Sequence, residues 1–141
     1  MTATPFSLAE IRESFAFFDD WEDKYRFIID LGRSLPPFPE AARQEHNLVR
    51  GCQSQVWVEA VFDENSGTLQ LAMDSDAHIV RGLIAIVLAA YQGRTPAEIV
   101  AFDIDGLFDE LALLKHLSPT RGNGLRALIR RVREIAAQHL P

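Results

Sequence analysis

Apolar residues recur at helical spacing through the first part of the chain. Leu8, Ile11, Phe15 and Phe18 lie three or four residues apart, and Ser7-Leu8-Ala9-Glu10 reads as a capping box, so a helix is predicted to start at Leu8. Asp19-Asp20 break this run and can cap a second helix, whose buried stripe is Trp21, Tyr25, Ile28 and Ile29. Gly32 loosens that helix near its end. Pro36-Pro37-Phe38-Pro39 cannot continue it, because proline lacks the amide donor and restricts the residue before it, so an extended connector reaches about Arg43.

The pattern then changes period. Val56, Trp57, Val58, Val61 and Phe62 form a β-rich run, Asp63-Glu64-Asn65-Ser66-Gly67 is turn chemistry, and Leu69, Leu71 and Met73 alternate onto one face. Two β runs around a short turn predict an antiparallel hairpin, with a short strand at Asn47 to Arg50 as a third member. After Asp74-Ser75-Asp76, read as a helix cap, Ile79, Leu83, Ile86, Val87 and Ala90 make the broad face of a central core helix that Gly93 ends. Thr95-Pro96-Ala97-Glu98 is a second capping box, opening a short helix over Pro96 to Ala101. Leu107, Phe108, Leu111 and Leu114 suggest another short helical segment, which Ser118 to Gly124 interrupts. A terminal helix on Leu125, Leu128, Ile129, Val132 and Ile135 follows, with Arg126, Arg130, Arg131 and Arg133 as its solvated face. This order implies an α+β fold: a small antiparallel sheet of about three strands with helices packed on one face.

A length of 141 residues suits one domain over 1–141 with a real core and no staples. No repeat or linker divides it. The net charge of −6 argues against nucleic acid and anionic membrane as partners. The apolar run from Gly82 to Ala90 falls short of the roughly 20 residues a bilayer requires. Met1 to Leu8 lacks a basic region followed by an apolar stretch, so no secretory signal is expected and the cytoplasm is the expected location.

The lone Cys52 rules out an internal disulfide and a four-thiolate metal site. It follows Gly51, which permits a tight turn, and its polar neighbours Gln53-Ser54-Gln55 suit a loop tip better than a core strand. A free cysteine also packs readily as a small inert hydrophobe, so a structural role competes with a reactive one. Reactivity requires thiolate, of which an unperturbed thiol with a pKa of about 8.5 supplies only a few per cent at neutral pH. None of His46, His78, His116 and His139 is three or four residues from another, which fits neither a zinc finger nor an HExxH helix. Surface or capping histidines are the better reading. A cysteine hydrolase would need a histidine brought beside Cys52, and the local sequence has no protease signature. Arg121-Gly122-Asn123-Gly124 reads either as an anion-accepting turn or, more simply, as the cap of the last helix.

The string Asn47-Leu48-Val49-Arg50-Gly51-Cys52-Gln53-Ser54-Gln55-Val56-Trp57 resembles the SufE family of sulfur acceptor proteins, which includes the CsdE proteins. The similarity continues through Asp74-Ser75-Asp76-Ala77, Ile79-Val80-Arg81-Gly82-Leu83, Leu117-Ser118-Pro119-Thr120-Arg121 and Asn123-Gly124-Leu125, and so spans nearly the whole chain.

This resemblance implies a sulfur carrier that takes persulfide sulfur from a cysteine desulfurase of the SufS or CsdA type and stimulates it, for iron-sulfur cluster assembly. It implies a relay protein rather than a stand-alone turnover enzyme. No cofactor is implied on this chain, the pyridoxal phosphate belonging to the desulfurase. The further partner is a downstream iron-sulfur scaffold or another sulfur acceptor; the alternative within the family is CsdE-like delivery to a pathway such as tRNA modification. The acceptor thiol maps onto Cys52, on a loop that shelters the sulfur and extends it on docking. Gly51, Gln55, Asp76 and Arg121 map onto positions that support this loop or meet the partner. The fold implied is similar to that of IscU-type scaffold proteins. From other classes, a regulatory binding module with an inert thiol remains the competing hypothesis.

Overall fold

The computed structural model describes residues 6–50 and 54–141. Helix α1 spans Leu8–Phe17 and α2 spans Trp21–Arg33. Both begin as the sequence predicts: Ser7 and Glu10 form the reciprocal capping box, and the Asp20 carboxylate accepts from the Asp23 amide at 2.9 Å. The proline-rich connector runs through two short 3-10 turns, Glu40–Ala42 and Glu45–Asn47, to strand β1 at Val56–Asp63. Strand β2, Thr68–Ser75, returns antiparallel in the register Val58↔Met73, Ala60↔Leu71, Phe62↔Leu69. Gly67, at φ +69°, supplies the left-handed residue that the hairpin turn needs.

The sheet has two strands among the described residues. The third predicted strand is reduced to one bridge, Leu48↔Trp57, with the Val49 amide donating to the Val56 carbonyl at 2.8 Å. Its failure to extend has a local cause: the turn at Glu45–Asn47 ends immediately before Leu48. On the other side of the hairpin, the Gln92 side-chain amide both accepts from the Leu71 N–H and donates to the Leu71 carbonyl, each at 2.8 Å.

Helix α3, His78–Tyr91, is the centre of the core, with ten of its fourteen residues buried. The inward face of the hairpin, Val56, Val58, Leu69, Leu71 and Met73, belongs to the same hydrophobic cluster. Helix α2 crosses α3 so closely that a Cβ on Gly82 would stand 2.0 Å from the Ile28 carbonyl oxygen, and one on Gly32 would stand 2.7 Å from the Gly82 nitrogen. Gly32, read from the sequence as a loosening residue, is instead half of a backbone contact.

Helix α4, Pro96–Ala101, opens on the second capping box as predicted. The segment that follows is divided: α5 spans Ile104–Glu110 and α6 spans Leu113–His116, separated by Ala112 in the left-handed conformation at φ 54°. Helix α7 runs from Pro119 to Gln138 and starts six residues earlier than the sequence pattern suggests. Ser118 caps it and Pro119 takes the first helical position, so Gly122, Asn123 and Gly124 lie inside the helix rather than before it. Two arginines of its expected solvated row are engaged with backbone: Arg131 donates to the His46 carbonyl and Arg133 to that of Val100. No helix among the described residues is long and apolar enough to cross a membrane.

Candidate functional site

Gly51 and Cys52 lie outside the described residues, but both chain ends that lead to them are well tied. On the upstream side, Val49 pairs with Val56, and the connector is anchored by the buried Asn47, whose side-chain amide donates to the Ala42 carbonyl at 2.9 Å. Arg43 reinforces this anchor. Its guanidinium donates to the Asp74 carboxylate at 2.6 Å and lies over the rings of Trp57 and Phe38, at 4.8 and 5.2 Å from their centroids. The hydrogen bond to Asp74 raises the Arg43 pKa above its ordinary value. Arg81 Nε stands 3.2 Å from the other Asp74 oxygen, as an ion pair without hydrogen-bond alignment.

On the downstream side, Gln55 and Asp76 extend the hairpin by one step beyond the Val56↔Ser75 pair. The Asp76 amide donates to the Gln55 carbonyl at 3.3 Å, and its carboxylate accepts from the Gln55 amide at 3.1 Å. Asp74-Ser75-Asp76 therefore does not cap α3 with a carboxylate; Ala77 is the N-cap and has no side-chain bond. Each aspartate is spent on a partner far away in sequence, and only Ser75 acts locally, accepting from the Ala77 amide at 3.2 Å.

This geometry sets an expectation for Asp76→Ala. The Gln55 amide loses its carboxylate acceptor, at a cost of about 1 kcal/mol, which corresponds to a roughly fivefold rise in local opening. Amide hydrogen exchange at Gln55 measures it directly. Asp76→Asn, which keeps an acceptor oxygen, should show a smaller rise, and equal exchange in all three proteins would refute the bond's role.

Arg121 reaches the same region from α7. Its backbone amide donates to the Ser118 hydroxyl at 3.3 Å, and its side chain lines a cavity of about 50 Å3. The rest of the lining is Ser54, Val56, Val80, Leu83, Thr120, Gly124, Leu125 and Leu128, so β1, α3 and α7 meet there. Arg121 Nη1 is fully buried and has no hydrogen-bond partner among the described residues. A wider groove, lined by Val100, Asp105, Phe108, Ile129 and three arginines of α7, holds none of Gln55, Asp76 and Arg121.

Of those residues, the structure brings Gln55 and Asp76 into contact and puts Arg121 in the cavity beside Ser54. The apolar wall was not anticipated as a site, although Leu125 and Leu128 were visible as a helical stripe. Nor was the Arg43–Asp74 anchor, whose partners are 31 residues apart. Among the described residues no three His, Cys, Asp or Glu side chains converge as a metal site would require. His116 instead stacks on Trp21 at 4.0 Å, and His139 on Phe62 at 5.0 Å.

Residues 9–136 match the SufE family, described as the Fe-S metabolism associated domain. The chain belongs to the SufE family. It is 47% identical over 137 residues to an uncharacterized SufE-like protein of Rhizobium meliloti, covering 96% of this chain and 98% of that one. A SufE-like protein of Rhizobium etli is also 47% identical, over 132 residues, covering 92% of this chain and 89% of its own. The solution structure of a hypothetical protein from Thermus thermophilus superposes with a TM-score of 0.75 at 20% identity, covering 94% of each chain, and shares the α+β fold. Membership in SufE supports a role in sulfur transfer and iron-sulfur metabolism, with a cysteine desulfurase as the general kind of partner.

Proposed function

We propose that this SufE-family protein accepts persulfide sulfur onto Cys52 from a cysteine desulfurase, stimulates that enzyme, and carries the sulfur toward iron-sulfur cluster assembly. The observation that carries this reading is the small apolar cavity lined by Ser54 and Arg121. Covalent geometry keeps the Cys52 Cα within about 7 Å of the Ser54 Cα, because each residue advances the chain by at most about 3.6 Å. What supports the reading is proximity along the chain: Ser54, two residues after Cys52, lines the cavity.

In the transfer step, the Cys52 thiolate attacks the outer sulfur of the donor's protonated persulfide. A new S–S bond forms at Cys52, the donor's S–S bond breaks, and its electron pair leaves on the donor thiolate. The product is a Cys52 persulfide, and one thiol suffices to carry it. Gln55, Asp76 and Gly51 support the segment, and Asp76 does so by holding the Gln55 amide.

The test is mass spectrometry after incubation with cysteine and the cognate desulfurase. The expected result is one added sulfur on the peptide containing Cys52, removable by a thiol reductant. An active desulfurase that leaves the protein unmodified would overturn the proposal.

A further inference from the structure

We infer that the groove formed by α4, α5 and α7 is a docking site for an acidic amphipathic helix of a partner protein, whose carboxylates meet Arg126, Arg130 and Arg133 while its apolar side chains cover Val100, Phe108 and Ile129. The charges in this groove set it apart from the rest of the chain. Acidic residues outnumber basic ones, twenty to fourteen, and Arg12, Arg26, Arg33, Arg43, Arg50 and Arg81 each stand within ion-pair distance of a carboxylate. Arg126 and Arg130 are exposed and have no acceptor among the described residues. Arg133 is exposed as well, and it donates to the Val100 carbonyl at 3.0 Å, which fixes it across the groove. Asp105 and Glu134 share the lining, yet no ion pair joins any of these five side chains among the described residues.

Shape selects a helix. The groove encloses about 520 Å3, enough for a row of side chains. Its lining comes from three helices, so it offers no strand edge to which an extended peptide could add. Arg126, Arg130 and Arg133 follow an i, i+4, i+7 spacing, rising about 6 and about 10.5 Å along α7, and a second helix laid alongside repeats its own side chains at the same intervals. Phe108 and Ile129 are buried beneath these exposed arginines, so the apolar surface forms the floor and the charge forms the rim. Because that rim is exposed, each ion pair contributes little, and docking is weak and sensitive to salt.

Charge selects a protein over a polyphosphate or a lipid surface. Either of those presents negative charge throughout and would meet Asp105 and Glu134 as well as the arginines, whereas a helix can set neutral residues opposite the two carboxylates. The groove shares no lining residue with the cavity of Ser54 and Arg121. At about 100° per residue, its face of α7 points roughly 150° away from the face of Arg121, Leu125 and Leu128. A partner seated in the groove leaves that cavity open, so this surface stands apart from the sulfur-acceptor reading.

The test uses the full chain and a fluorescein-labelled, lactam-stapled helical peptide of about 15 residues carrying Glu at i, i+4 and i+7 with leucines beside them. Fluorescence anisotropy is expected to show saturable binding with a Kd of about 10 to 100 μM at low salt, weakened about tenfold between about 50 and about 300 mM sodium chloride. Arg126→Glu combined with Arg130→Glu is expected to weaken it by at least about tenfold, and Glu134→Gln, which removes a repulsion, to tighten it about twofold. Such a gain cannot come from a variant that fails to fold. The same peptide with Lys at the three positions should not bind. Absence of saturable binding up to about 1 mM, or equal binding by the charge-reversed variant, overturns the docking site. Tighter binding of phosphatidylglycerol vesicles or duplex DNA than of the peptide overturns the choice of partner. Peptide binding involves no sulfur chemistry, so each of these outcomes leaves the sulfur-acceptor proposal untouched.

Discussion

Cys52→Ser is expected to abolish the increase in sulfide release that the unsubstituted protein produces when added to a cognate cysteine desulfurase with cysteine and a reductant. The chain has one cysteine, so no second thiol can take over the transfer. Serine preserves size and polarity, yet its hydroxyl is barely ionised at neutral pH and offers no sulfur for a persulfide bond. The substitution is thus a test of chemistry more than of packing. Unchanged circular dichroism with zero stimulation is the expected pair of results. Full stimulation by Cys52→Ser would instead show that docking alone activates the enzyme, which is the outcome a regulatory module with an inert thiol requires.

The second large effect concerns stability. Gly82→Ala would normally help an exposed helix, since alanine is favoured over glycine by about 1 kcal/mol within a helix. Here the added methyl would fall 2.0 Å from the Ile28 carbonyl oxygen and 2.5 Å from the Ile28 side chain. The obstruction is backbone, so α2 must move away from α3. Overpacking of this kind costs about 3 kcal/mol at the upper end of its usual range. For a chain of this size that corresponds to a loss of about 10 °C in Tm, measurable by calorimetry. Gly67→Ala is the informative control: nothing lies within 4 Å of its Cβ, and only the positive φ penalises it. A smaller loss at Gly67 than at Gly82 separates the two mechanisms, and an unchanged Tm for Gly82→Ala would refute the tight crossing.

Local signals were read correctly where a few adjacent residues suffice. Both capping boxes, the Asp20 cap, the Gly67 turn and the alternation of Leu69, Leu71 and Met73 involve interactions over at most a few positions. Errors arose where a distant partner decides the outcome. Asp74 and Asp76 have ideal composition for a helix cap, but Arg43 and the Gln55 amide hold them elsewhere. Gly122 and Gly124 look like an interruption, yet Ser118 and Pro119 nucleate α7 ahead of them. The Leu107 to Leu114 stripe keeps its period across Ala112, although the backbone turns left-handed there. In the site, Cys52 stood out by its motif and its solitude. The meeting of Ser54 with Arg121 is a property of the fold, because 67 positions separate them in the chain.

The Gln92 side chain has a consequence for how the molecule behaves at high concentration. Exposed strand margins recruit extended segments from other chains, the route to cross-β aggregates. By occupying both backbone groups of Leu71, Gln92 denies an incoming segment its first two hydrogen bonds at that margin, with a single side chain doing the work of an added strand. Gln92→Ala would reopen this template even though it removes almost nothing from the core.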